Sequence, residues 1–126
     1  MYRVKSNNRT IMPIVCTVVL IGGRGQEEVT AKVDTGTSRT SVDRDLAARV
    51  GLGPVTQTVK VRTASSAEAE VRPLVEARIQ LVGKEFMLPV SLANRADMNY
   101  PVILGTDIMS EGDFLVDIPN RTLNAA

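Results

Sequence analysis

The sequence predicts a mainly β fold, and three observations carry that expectation. Short apolar or alternating runs rich in Val, Ile and Thr recur along the chain, as half-buried strands require. Gly, Pro, Asn and charged residues separate these runs, which is how turns and hairpin tips read. A clear helical signal occurs at residues 42–50, within a texture otherwise of strands.

The elements follow in order. Residues 14–21 form a β-branched run, residues 22–26 a turn, and residues 28–33 an alternating run, so the first hairpin delivers the chain to Asp34. Ser41 is placed to cap a helix over residues 42–50, with Asp43 and Asp45 in its first turn and Gly51 just beyond its end. Residues 59–63 and 68–72 predict a second hairpin with an exposed tip, and Pro73 predicts a bend or an edge position after it. Residues 74–81 and 85–92, joined by Val82-Gly83-Lys84, predict a third strand pair. Val102-Ile103-Leu104 reads as a short buried strand, and residues 115–118 and 122–124 as a closing hairpin.

The bulk composition sets further bounds. A chain of 126 residues fits one domain, 1–126, with its core over about residues 12–124, and buries enough surface to fold without staples. Its 15 basic and 14 acidic residues leave a net charge of +1, which supplies no electrostatic attraction to nucleic acid or an anionic membrane. No window approaches the roughly 18 apolar residues of a membrane span, because Gly22-Gly23-Arg24 interrupts the best candidate. The polar residues 1–9 lead into no clear signal-peptide cleavage site, so a cytoplasmic location without membrane contact is expected. The chain has no histidine, which excludes Ser-His-Asp and Cys-His chemistry and His-based metal sites. Cys16, the single cysteine, lies in the apolar run 14–20 and reads as a small buried hydrophobe. No cofactor or metal is expected.

The chemistry concentrates at Asp34-Thr35-Gly36-Thr37, where a carboxylate sits at a strand end beside a glycine that lets the backbone turn tightly. Asp and Gly favour turns for reasons unrelated to catalysis, so the context decides. An apolar strand precedes the motif, a helix follows it, and Val102-Ile103-Leu104-Gly105 comes later. That combination resembles the retropepsin-like aspartic peptidases over roughly residues 14–123, including Phe114-Leu115-Val116-Asp117. The likeness is closest to a bacterial group associated with RimK-type ATP-grasp ligases and named ATP-dependent zinc proteases. It runs through Ala31-Lys32-Val33-Asp34-Thr35-Gly36, Val71-Arg72-Pro73, and Met98-Asn99-Tyr100-Pro101-Val102-Ile103-Leu104-Gly105. Leu104-Gly105-Thr106-Asp107-Ile108-Met109 is also similar to Ddi-like and retrotransposon proteases.

The resemblance implies a single-lobed closed barrel with one short helix after the Asp-Thr-Gly loop and one near the C-terminus. It implies an aspartic endopeptidase in which Asp34 is catalytic, Thr35 braces the partner's loop, and Gly36 and Thr37 complete the active-site loop. Ile103, Leu104 and Gly105 are the strand that supports this loop, and Thr63, Ala64, Ser65, Ser66 and Ala67 occupy the position of a flap. One lobe brings one aspartate, so the implied enzyme is a homodimer acting on an extended peptide or protein. The two carboxylates would share a proton and activate a water.

The tip is not Gly-rich, and Ser38 and Arg39 replace the acidic residues common after the retroviral motif, so retroviral substrate preference does not carry over. Arg39, Arg62 and Arg72 read first as solvated surface cations, and second as receptors for acidic side chains. Asp107 reads as an anchor for the turn around Met109, and Asp117 as part of a terminal strand. Zinc finds no support in a chain without histidine. A catalytically silent dimerisation or peptide-binding module, partnered with an ATP-grasp ligase, is the alternative.

Overall fold

The computed structural model describes residues 9–62, 68–95 and 99–119. The chain runs β1 (Thr10–Pro13), β2 (Val15–Gly22), β3 (Gly25–Val33), β4 (Ser41–Asp43), α1 (Arg44–Val50), β5 (Val55–Val61), β6 (Glu70–Leu81), β7 (Lys84–Ala93), β8 (Val102–Leu104), α2 (Thr106–Glu111) and β9 (Phe114–Asp117). The strands β2-β3-β8-β4-β7-β6 pair in that order, and β6 pairs back with β2 through Leu20↔Ile79, so the sheet closes into a six-stranded barrel. This is the mainly β barrel with two short helices that the sequence predicts.

Alternation explains the core. In β2, Val18 and Leu20 point inward with no exposed surface, and Ile79 and Leu81 of the neighbouring β6 do the same. Leu46, Ala47 and Val50 give α1 one apolar face, which packs into the cluster containing Val42, Val102 and Ile108. Cys16 is buried there, and burial pushes its thiol up to about 11.

Several element boundaries differ from expectation. The first turn is tighter, since Gly22 pairs with Gly25 and leaves Gly23-Arg24 as the loop. The helix begins at Arg44, and its cap is Asp43 rather than Ser41. The reason is tertiary: Ser41 and Val42 are drawn into β4, paired with Ser91 and Leu92 on one side and with Ile103 and Val102 on the other. Asp43 Oδ2 accepts from Leu46 N at 3.2 Å, and its Oδ1 accepts from Arg95 N at 2.8 Å. Gly51 ends the helix at φ 77°, the left-handed conformation expected of it, and its N–H bonds Ala47 O.

Residues 70–81 form one continuous strand across Pro73. Pro73 faces Thr58 on the β5 side, while pairing with β7 starts only at Leu74, so its ring sits where no N–H is needed. The second strand of the expected closing hairpin, residues 122–124, lies outside the described residues; β9 pairs in parallel with β1, Thr10 opposite Phe114.

Two outcomes follow. Asp43→Ala leaves two backbone donors without their acceptor and is expected to cost about 2–3 kcal/mol, read as a lower urea midpoint with an unchanged m-value. Cys16 is expected to resist a thiol reagent at neutral pH in the folded protein and to react fully in denaturant. Because its folded pKa lies above the unfolded value, stability falls as pH rises from about 9 toward about 11, where the unfolded chain alone releases the proton.

Candidate active site

Strand β8 lies between β3 and β4, parallel to the first and antiparallel to the second. The residues joining β3 to β4 must therefore cross the end of β8, bridging strands about 10 Å apart, twice the inter-strand spacing. That crossing segment is Asp34 to Thr40, and it carries the Asp-Thr-Gly motif.

The crossing is pinned at both ends. Asp34 N donates to Leu104 O at 2.9 Å, and Thr106 N donates to Thr37 O at 2.9 Å, so β8 and α2 hold the loop from beneath. Inside the loop, Gly36 N donates to Asp34 Oδ1 at 2.9 Å, which fixes one carboxylate oxygen and leaves the other open. Asp34, Thr35 and Gly36 are all exposed. Ile103 and Leu104 are positioned as loop support by pairing with Lys32 and Val33.

Gly105 follows from close approach rather than from dihedral freedom. A β-carbon there would lie 2.8 Å from Arg39 C and 2.9 Å from Arg39 N, so any side chain drives the loop backbone away. The far end of the loop is clamped by Thr40, which is fully buried. Its N–H and its hydroxyl donate to Asp107 Oδ2 and Oδ1 at 2.9 and 2.7 Å, and its hydroxyl accepts from Gly105 N at 3.2 Å. Asp107 thus anchors the loop as well as the turn the sequence assigned to it. Thr40 itself is the residue sequence reading missed; the available signal was a polar residue in a segment otherwise entering the core.

Two cavities flank the loop. One, of about 440 Å³, lies on the β5 side and is lined by Gly36, Thr37, Ser41, Arg72 and Ser91, among others. The second, of about 470 Å³, includes Lys32, Asp34, Thr35, Arg95, Tyr100 and Ile103. Alternation along β3 puts Lys32 on the same face as Asp34, a relation legible from the sequence but not used. Arg95 is half-buried, its Nε donating to Tyr100 O at 3.0 Å. Burial first, and then the Arg72 charge, hold its guanidinium below the ordinary arginine pKa.

The proposed flap residues Thr63, Ala64, Ser65, Ser66 and Ala67 lie outside the described residues, and β5 and β6 lead into and out of that segment. Among the described residues no three His, Cys, Asp or Glu side chains converge to hold a metal ion, and the donor set beside Asp34 does not fit zinc. Among the described residues no helix is long and apolar enough to cross a membrane.

Comparison with known proteins agrees with this geometry. The EIAV protease, solved with an inhibitor, superposes with a TM-score of 0.64 at 15% identity, covering 82% of this chain and 91% of its own. A Legionella pneumophila protein of unknown function, Lpg0085, gives 0.61 at 20% identity, covering 90% and 96%. The retroviral protease-like domain of Ddi1 from Leishmania major gives 0.50 at 18% identity, covering 75% and 74%. At such identities the likeness is one of fold. No curated protein sequence matches the chain significantly. The family model for aspartyl proteases matches residues 17–108, a stretch that runs from β2 through the Asp-Thr-Gly loop to α2, and on that match the chain belongs to the aspartyl protease family.

Proposed function

We propose that the chain is an aspartic endopeptidase that works as a homodimer, with Asp34 of two copies forming the catalytic pair. The observation that carries this reading is the Asp34-Thr35-Gly36 loop itself, clamped from beneath by Leu104, Thr106 and Asp107 and exposed above. A loop this firmly fixed holds its carboxylate still, which is what a positioned acid or base needs. In this reading Thr35, exposed beside it, braces the equivalent loop of a second copy. The two-stranded β1-β9 sheet, with Ile11 and Ile118 exposed near its ends, supports pairing between copies.

In the proposed reaction one carboxylate takes a proton from a water, which attacks the scissile carbonyl carbon, while the protonated partner donates to the carbonyl oxygen. The tetrahedral diol then collapses, the C–N bond breaks, and the amine leaves with a proton from the pair. Thr63 to Ala67 would form the lid over an extended peptide, and residues 31–36 and 98–105 resemble the RimK-associated bacterial group.

The test is cleavage of a diverse peptide library by the unmutated chain and by Asp34→Asn, read by mass spectrometry. Asp34→Asn is expected to lower turnover by about 10²–10⁴-fold, the usual weight of a positioned acid or base, while sedimentation shows the dimer intact. Equal cutting by both proteins sinks the mechanism, and no cutting by either favours the silent binding module. Activity per chain should fall on dilution through the dimer dissociation range. Asp107→Ala, which strips Thr40 of both acceptors, is expected to cost about 2–4 kcal/mol and to lower kcat. Asp107→Asn keeps one acceptor and should be milder in both urea midpoint and kcat.

A further inference from the structure

The charge balance of the chain is nearly even, 15 basic residues to 14 acidic, yet the surroundings of Asp34 are not. Arg39, Lys60, Arg62 and Arg72 line the cavity on the β5 side, and Lys32 and Arg95 the other, while among the described residues Asp34 is the sole carboxylate in either lining. Among the described residues, Arg39, Lys60 and Arg62 form no ion pair within 4.0 Å. A cleft lined by one sign of charge focuses its field on whatever enters.

Two features make this more than a solvated basic surface. The Arg72 side chain is only 12% exposed, and its Nη2 and Nε lie 2.9 and 3.3 Å from Glu70 Oε2, two residues along the same strand and 44% exposed. Ser41, 6% exposed, lines the same cavity with a buried hydroxyl that has no hydrogen-bond partner among the described residues. A largely buried arginine answered by a more exposed carboxylate, in the same cavity lining as a serine whose buried hydroxyl is unanswered, has the chemistry of an anion receptor with part of its ligand shell missing.

The cavity also borders Gly36 and Thr37, beside which the strand of a bound peptide would run, and side chains leave such a strand alternately to either side. We infer that this cavity is a specificity subsite for a substrate Asp or Glu side chain, with Arg72 and Ser41 as its receptors and Glu70 as an internal carboxylate the substrate displaces. Lys32 and Arg95 extend the same preference into the neighbouring cavity. The position of the substrate strand rests on the endopeptidase reading; the anion selectivity does not.

The experiment measures binding without turnover. A fluorescent peptide with Glu at alternate positions, and its Gln counterpart, are titrated against full-length Asp34→Asn. The Glu peptide should bind at least about tenfold tighter, with the gap narrowing between about 0.05 and 0.3 M salt. Arg72→Met should erase the gap, and Glu70→Gln should tighten the Glu peptide by removing its competitor. Arg39→Gln/Lys60→Gln, altering partly exposed cations, should narrow the gap with an unchanged melting temperature, so the test survives if Arg72→Met fails to fold. Equal binding of the two peptides, or no saturable binding of either, overturns the subsite. So does an undiminished preference in the Arg39→Gln/Lys60→Gln protein or in folded Arg72→Met. A Glu peptide bound selectively yet never cut by the unmutated enzyme retains the subsite and sinks the peptidase reading; cutting indifferent to Glu does the reverse.

Discussion

The structure depends on one topological constraint: β8 occupies the space between β3 and β4. Strands that are close in sequence are thereby forced apart, and the segment linking them must span the end of a third strand. Every local feature of that segment answers this demand. Leu104 O and Thr106 N bond its backbone from below, Gly105 lets the chains touch, and the Asp107 carboxylate holds its far end through Thr40. A loop crossing open solvent would sample many conformers; this one has its backbone bonds assigned at several points, so the exposed carboxylate at its apex is held by a rigid frame.

Thr40, just before β4, and Asp43, at its end, carry polar groups that are costly to bury and are hydrogen-bonded, in contrast to the Ser41 hydroxyl between them. Thr40 and Asp43 are both buried, and their side chains together answer backbone N–H groups from Gly105, Leu46 and Arg95. The Thr40 bonds tie the turn between β8 and α2 to the crossing, and the Asp43 bonds tie α1 and the chain just after β7 to the far end of β4, so packing in the barrel and the crossing meet through this short strand.

Much of this was legible in the residues. The strand at 15–22, the left-handed stop at Gly51 and the short buried strand at 102–104 all follow from patterns set by backbone physics. The errors fall where distant chain intervened. Ser41 has the chemistry of a helix cap, but pairing with β7 and β8 makes it a strand residue, and the cap passes to Asp43. Residues 114–117 form a strand as expected, and its pairing with β1, about a hundred residues away, is one that no local pattern encodes. At the site, Asp34 and Gly105 are marked by their motifs, whereas the grouping of Lys32, Arg72 and Arg95 around them depends on strand register and helix placement.

The clamp also has a consequence for biosynthesis. Asp34 leaves the ribosome 71 residues before Gly105 and 73 before Asp107, so over that stretch of synthesis the nascent chain has its aspartate but not the β8 and α2 contacts that pin the loop from beneath. The framework of the Asp-Thr-Gly loop is therefore a late product of folding, completed only when β8 has slotted between β3 and β4, and a chain stalled before that point carries the motif without a fully pinned loop.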